Sequence, residues 1–93
     1  MTSRSEYKKV ALELAVQKHL DDAATARGYD NIVSACSYSA SANAFQSEGI
    51  AYLNWRAAVW QHCYQVLADV QAGVRAVPTA AELIAELPVL ALP

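Results

Sequence analysis

The sequence predicts an all-α fold, a compact bundle of three to four helices around one long central helix. Three observations predict it. Apolar residues recur at three- and four-residue steps through most of the chain, the signature of helix faces. Alanine makes up much of the 55% apolar fraction, and alanine favours helix and close helix packing. The glycines at 28 and 73 and the Thr79-x-x-Glu82 pair stand where helices stop and start.

The first helix is placed at about residues 5–27. Leu12, Ala15, Val16, His19, Leu20, Ala23 and Ala26 share one face, with Glu13, Gln17, Lys18, Asp21 and Thr25 mainly on the other. Gly28 supplies the left-handed residue after the helix, and Arg27 suits the negative end of the helix dipole. The first half of this helix carries a second apolar stripe, Tyr7, Val10 and Leu14, away from the first. Two stripes imply two neighbours. The second neighbour is either an end segment of the same chain folded over the stripe, or a symmetry mate or partner protein.

Asp30 is the expected N-cap of a short second helix, about residues 31–39, with Ile32, Val33 and Cys36 on its inner face. The SYSASAN stretch after it reads as a connection. The third helix is placed at about 44–72. Asn43-x-x-Gln46 has the form of a capping box, and Ser47 offers a later cap. Some 28 residues at 1.5 Å each give about 42 Å, so this helix is the spine. Gly49, early in it, costs about 1 kcal/mol relative to alanine and marks either close approach of another helix or a frayed end.

The spine contains YLNWRAAVWQHCY, residues 52–64. Asn54, Gln61, Gln65 and Asp69 share its polar side. Tyr52, Trp55, Val59, Cys63, Val66 and Val70 fill the opposite arc, which Trp60, Tyr64 and Leu67 widen. Such a wide arc is contacted on two or three sides, and Trp55, Trp60 and Tyr64 read as core. Arg56 falls inside the arc. A buried guanidinium needs a partner, so Arg56 is expected in an ion pair with Asp22, Asp30 or Glu48, or as a donor across an interface.

Beyond Gly73, Val77-Pro78 breaks the chain. The Thr79-x-x-Glu82 box opens a fourth helix at about 80–87, with Leu83, Ile84 and Leu87 inward and Pro88 as its stop. The apolar tail, with Leu90 and Leu92, is expected along a groove of its own domain or of a neighbour.

The composition restricts function. A net charge of −2 offers no basic field for nucleic acid. The start lacks a signal-peptide core, and no run of 18 apolar residues suggests a membrane span. Cys36 and Cys63 lack framework spacing and read as reduced thiols of a cytoplasmic protein. His62 and Cys63 are adjacent but point about 100° apart on a helix, unsuited to a nucleophile pair. His19, Cys36, His62 and Cys63 show no metal-ligand spacing, and Asp21 and Asp22 diverge and read as solvated. No enzyme activity, cofactor or small-molecule substrate is expected. A charged fraction of 17%, against about 25% in a typical domain, leaves a small domain short of polar cover. A homo-oligomer or a protein partner is expected, with Tyr7, Val10, Leu14, Leu90 and Leu92 as candidate contacts.

The stretches GYDNIVSACSY, FQSEG, WRAAVWQHCY and VPTAAELIAELP together span about Arg27 to Pro88. In combination they resemble the C-terminal region of small proteins encoded in tail-gene clusters of tailed bacteriophages and prophages. The first helix is similar in pattern. The resemblance implies a tail-fibre-associated protein or, alternatively, a tail-fibre assembly chaperone not retained in the virion. It carries no catalytic residues. It implies the host cytoplasm during assembly, with the virion tail as a destination. Such proteins often have further sequence upstream, whereas this chain begins with a methionine just before the first helix. Whether a natural neighbour is missing is left open.

Overall fold

A computed structural model describes residues 4–93. Four helices follow one another: α1 (Arg4–Thr25), α2 (Ile32–Ser37), α3 (Gln46–Gln71) and α4 (Ala80–Glu86), with a 3₁₀ turn at Tyr38–Ala40 after α2. There is no strand among the described residues. The all-α bundle with one long helix expected from periodicity is the one observed.

Helix ends explain where the chain turns. Gly28 (φ 96°) closes α1: Tyr29 N–H reaches back to Ala24 O at 3.1 Å and Gly28 N–H to Thr25 O at 3.0 Å. Gly73 (φ 74°) closes α3 in the same way, with Val74 N–H on Asp69 O at 2.8 Å. Both are left-handed stops, a conformation that glycine adopts without steric cost. The box at α4 is complete, with Glu82 N–H on Thr79 Oγ1 at 3.1 Å and Thr79 N–H on Glu82 Oε1 at 3.0 Å.

Three local expectations fail. The N-cap of α2 is Asn31, not Asp30: Asn31 Oδ1 accepts from Ser34 N–H at 2.8 Å. Asp21 is not simply solvated, because its Oδ1 accepts from Ile32 N–H at 3.0 Å and so ties the start of α2 to α1. Asn43 and Gln46 form no capping box. Asn43 holds the turn at Phe45 N–H (2.8 Å), Gln46 Nε2 reaches Ser39 O (3.4 Å), and α3 starts without a side-chain cap. For Asp21, Asn43 and Gln46 a tertiary neighbour or a turn captured the polar group.

The core gathers Val16, Leu20 and Ala24 from α1, Ile32, Ala35 and Cys36 from α2, Tyr52, Trp55, Val59 and Val66 from α3, and Leu83 and Leu87 from α4 and its end. Val33, placed inward from the sequence, is 56% exposed. Buried aromatic rings need partners for their polar tips. Tyr52 Oη donates to Ala23 O at 3.2 Å, and Trp55 Nε1 donates to Pro88 O at 2.7 Å. Edge-on ring contacts link Tyr29 to Tyr52, Tyr52 to Trp55 and Trp55 to His19, at centroid separations of 5.6, 6.4 and 5.7 Å.

Gly49 is buried beside the 3₁₀ turn, where a Cβ would stand 2.6 Å from Ser39 N and 2.9 Å from Tyr38 C. Close approach, rather than fraying, is the reason for a glycine in this helix. α2 packs on both α1 and α3, and α4 packs on α1. The Trp55–Pro88 hydrogen bond and a His62 Nε2–Glu86 Oε1 contact of 2.8 Å tie α4 and the tail to α3. The bundle measures 45 × 25 × 20 Å, with a radius of gyration of 14.9 Å. A compact chain of this length has about 12 Å.

Candidate partner-binding surface

Elongation leaves surface uncovered. The chain exposes 6084 Å². A compact monomer of 10.0 kDa exposes about 5,200 Å². The surplus, roughly 850 Å², is close to the area that one partner contributes to an ordinary protein interface, about 800 Å².

Much of the exposed apolar surface lies on α1 and α3. The first half of α1 presents Tyr7, Val10 and Leu14, which are 66%, 50% and 66% exposed. Among the described residues, no end segment folds over them. A groove of about 680 Å³ opens between the first half of α1 and the second half of α3. Leu12 and Val16 form one wall and Trp60, Tyr64, Leu67 and Val70 the other, with Pro78 and Leu83 beneath. Lys8, Lys9, Glu6, Glu13 and Arg56 stand around the rim. The lining is apolar and the rim carries both signs of charge, the character of a protein-binding surface. Nearer the start of α3, on the same side of the helix as Trp60, Tyr64 and Leu67, Ile50 and Leu53 are each 44% exposed.

Several sequence expectations change here. Tyr64 is not core: it is 70% exposed at the groove edge. Trp60 is half-buried, whereas Trp55 is buried. Arg56 is half-buried and forms none of the expected ion pairs. Glu48 is taken by Arg27 (3.2 Å) and by Tyr29 Oη (3.2 Å), and Asp22 by Lys18 at 2.6 Å. Asp30 is exposed. The Arg56 guanidinium instead lies beside the Cys36 thiol, and enough water reaches a half-buried guanidinium that no carboxylate is required. Leu90 and Leu92 are not free for a partner. Both pack against the chain's own core, held there by the Trp55–Pro88 hydrogen bond. Val89 between them is 90% exposed.

Periodicity about the core face assigns Tyr64 inward and passes over Ile50, Leu53 and Ala57. The signal for the outer face was available: Ile50, Leu53, Ala57, Trp60, Tyr64 and Leu67 follow alternating steps of three and four.

Several polar groups near these surfaces are engaged in structure. Glu86 receives both arms of Arg75 (2.9 and 3.1 Å) as well as His62, and the guanidinium holds its carboxyl below the ordinary carboxylate value. Burial pushes both the Cys36 and Cys63 thiols up, away from the reactive thiolate. Both cysteines are free, and no group of three or more His, Cys, Asp or Glu side chains converges among the described residues. No described helix is long and apolar enough to cross a membrane. No protein family, curated protein or solved structure matches the chain.

Proposed function

We propose that this chain is a non-enzymatic interaction module of a bacteriophage or prophage tail, binding a tail-fibre component or itself through apolar helix faces. The observation that carries the binding reading is the uncovered apolar surface of α1 and the α1–α3 groove. Tyr7, Val10 and Leu14 stay half or more exposed among the described residues, although burying each fully is worth roughly 1.5–3 kcal/mol. A partner that hides them gains several kcal/mol before the cost of association is subtracted. The raised pKa values of buried Cys36 and half-buried Cys63, and the engagement of His62 by Glu86, support a role in holding rather than converting. The tail setting rests on the resemblance carried by residues 27–88. It supports a setting in the host cytoplasm during assembly, with the virion tail as the destination of a retained component.

The test is co-expression with the tail-fibre gene product encoded beside it, followed by affinity capture. Capture is expected from the native chain and a loss of at least about tenfold from Leu14→Glu. Equal capture by Leu14→Glu removes α1 from the interface, and no capture by the folded native chain overturns the tail-fibre reading. Mass spectrometry of purified particles separates a virion component from an assembly chaperone: the chaperone raises soluble fibre yield and is missing from the particles.

A further inference from the structure

We infer that two copies of this chain pair along α3, antiparallel and in one register, across the apolar line that runs from its exposed start into the mouth of the α1–α3 groove. The inference rests on the reading of the exposed apolar surface as a binding face, and it names the occupant.

The line begins at Ile50 and continues through Leu53, Ala57, Trp60, Tyr64 and Leu67, in steps of three, four, three, four and three. This is the a/d spacing of a two-helix seam. It extends about 26 Å along the helix at 1.5 Å per residue. The chain's own core uses the neighbouring face, through Tyr52, Trp55, Val59 and Val66, and none of the six seam residues is buried.

Size and charge select a second copy. In an antiparallel pair, each a position meets a d position. With the twofold axis passing between Ala58 and Val59, Ile50 meets Leu67 of the second copy, Leu53 meets Tyr64, and Ala57 meets Trp60. The smallest side chain of the seam thus faces the largest, which leaves room for the indole between helices spaced about 8–10 Å apart. Sliding by one heptad loses two of the six layers and, in one direction, sets Trp60 against Tyr64. The chosen register fills all six and closes on itself, as an isologous dimer requires.

The flanks agree. Asn54, Gln61 and Ala68 border the seam on one side, and Gly49, Arg56, Cys63 and Val70 on the other. Arg56 is the single charge among them, and the register sets it beside Cys63 of the second copy rather than beside its own image. No like charges meet between the two α3 helices.

Asn54 and Gln61 are both exposed and, in this register, face each other across the axis. In a background carrying Cys36→Ala and Cys63→Ala, the pair Asn54→Cys with Gln61→Cys is expected to oxidise to a covalent dimer, whereas each single cysteine gives little. Light scattering of the native chain at up to about 1 mM is expected to show twice the monomer mass, and Leu53→Glu, with helicity retained by circular dichroism, to return the monomer. A native chain that stays monomeric overturns the inference, as does dimerisation that survives Leu53→Glu or yields no double-cysteine cross-link. The fibre-capture assay separates the two readings. A monomer that still captures the fibre sinks only the seam. A dimer that captures none keeps the seam and removes the tail-fibre role. A monomer that captures none removes both.

Discussion

Replacing Gly49 with alanine tests the packing logic of the fold, because local and tertiary effects have opposite signs there. On an isolated helix, Gly→Ala stabilises by about 1 kcal/mol through backbone entropy. In the folded chain the new methyl would stand 2.6 Å from Ser39 N, 2.9 Å from Tyr38 C and 3.1 Å from Tyr38 Cβ. The two shortest contacts are to backbone, so no side-chain rotation relieves them. The 3₁₀ turn must move, carrying Tyr38 away from its ring contacts with Tyr29 and Phe45, each at 5.5 Å. Overpacking of this kind costs typically 1–3 kcal/mol, and more where backbone must shift. The clash outweighs the helix gain, and the expected net destabilisation is about 1–2 kcal/mol. For a chain of this size that lowers Tm by roughly 4–15 °C. Urea and thermal unfolding followed by circular dichroism at the helix band measure it. A Gly49→Ala protein as stable as the native chain, or more stable, refutes the argument that close approach fixes this residue.

Two further predictions test the packing of the tail and the charged corners. Trp55→Phe removes the donor to Pro88 O, leaves part of the indole volume empty, and is expected to cost about 2 kcal/mol and to expose the Leu90–Leu92 segment to proteolysis; an unchanged cleavage pattern after Pro88 argues against this anchor. Stability is expected to fall as pH drops from about 5 to about 3. The carboxyls of Glu48, Glu82 and Glu86 titrate below their ordinary 4.5, held down respectively by Arg27, by the Thr79 N–H and hydroxyl, and by Arg75 with His62. Groups with depressed folded pKa values contribute stability that is complete above the unfolded value and lost as pH falls through the folded one. A Tm-against-pH slope that is unchanged in a Glu48→Gln, Glu82→Gln, Glu86→Gln variant refutes that assignment.

The same residues show how far sequence reasoning reached. The helix stops at Gly28 and Gly73 and the Thr79–Glu82 box were legible, because each depends on a handful of neighbouring backbone groups. So were the core positions Val16, Leu20, Ile32, Tyr52, Trp55, Val59 and Leu83, which follow from period alone. The exposed stripe of Tyr7, Val10 and Leu14 was legible too, since it disagrees with the face below it. Arg56 was misjudged because a position inside an apolar arc was equated with burial, whereas α1 and α3 diverge enough to leave a groove along that arc. Tyr64 moved outward for the same reason.

The sequence by itself determined which segments are helical, where most of them end and which face of each is apolar, because these depend on interactions within a few residues. Only the tertiary structure decided which apolar faces are covered, that Asp21 serves the start of α2, that Glu48 goes to Arg27 and Tyr29, and that the tail lies on Trp55. Those outcomes depend on the separation and angle between helices distant in sequence. That separation is set by the summed shape of many side chains, including the one missing at Gly49, and no local pattern encodes it.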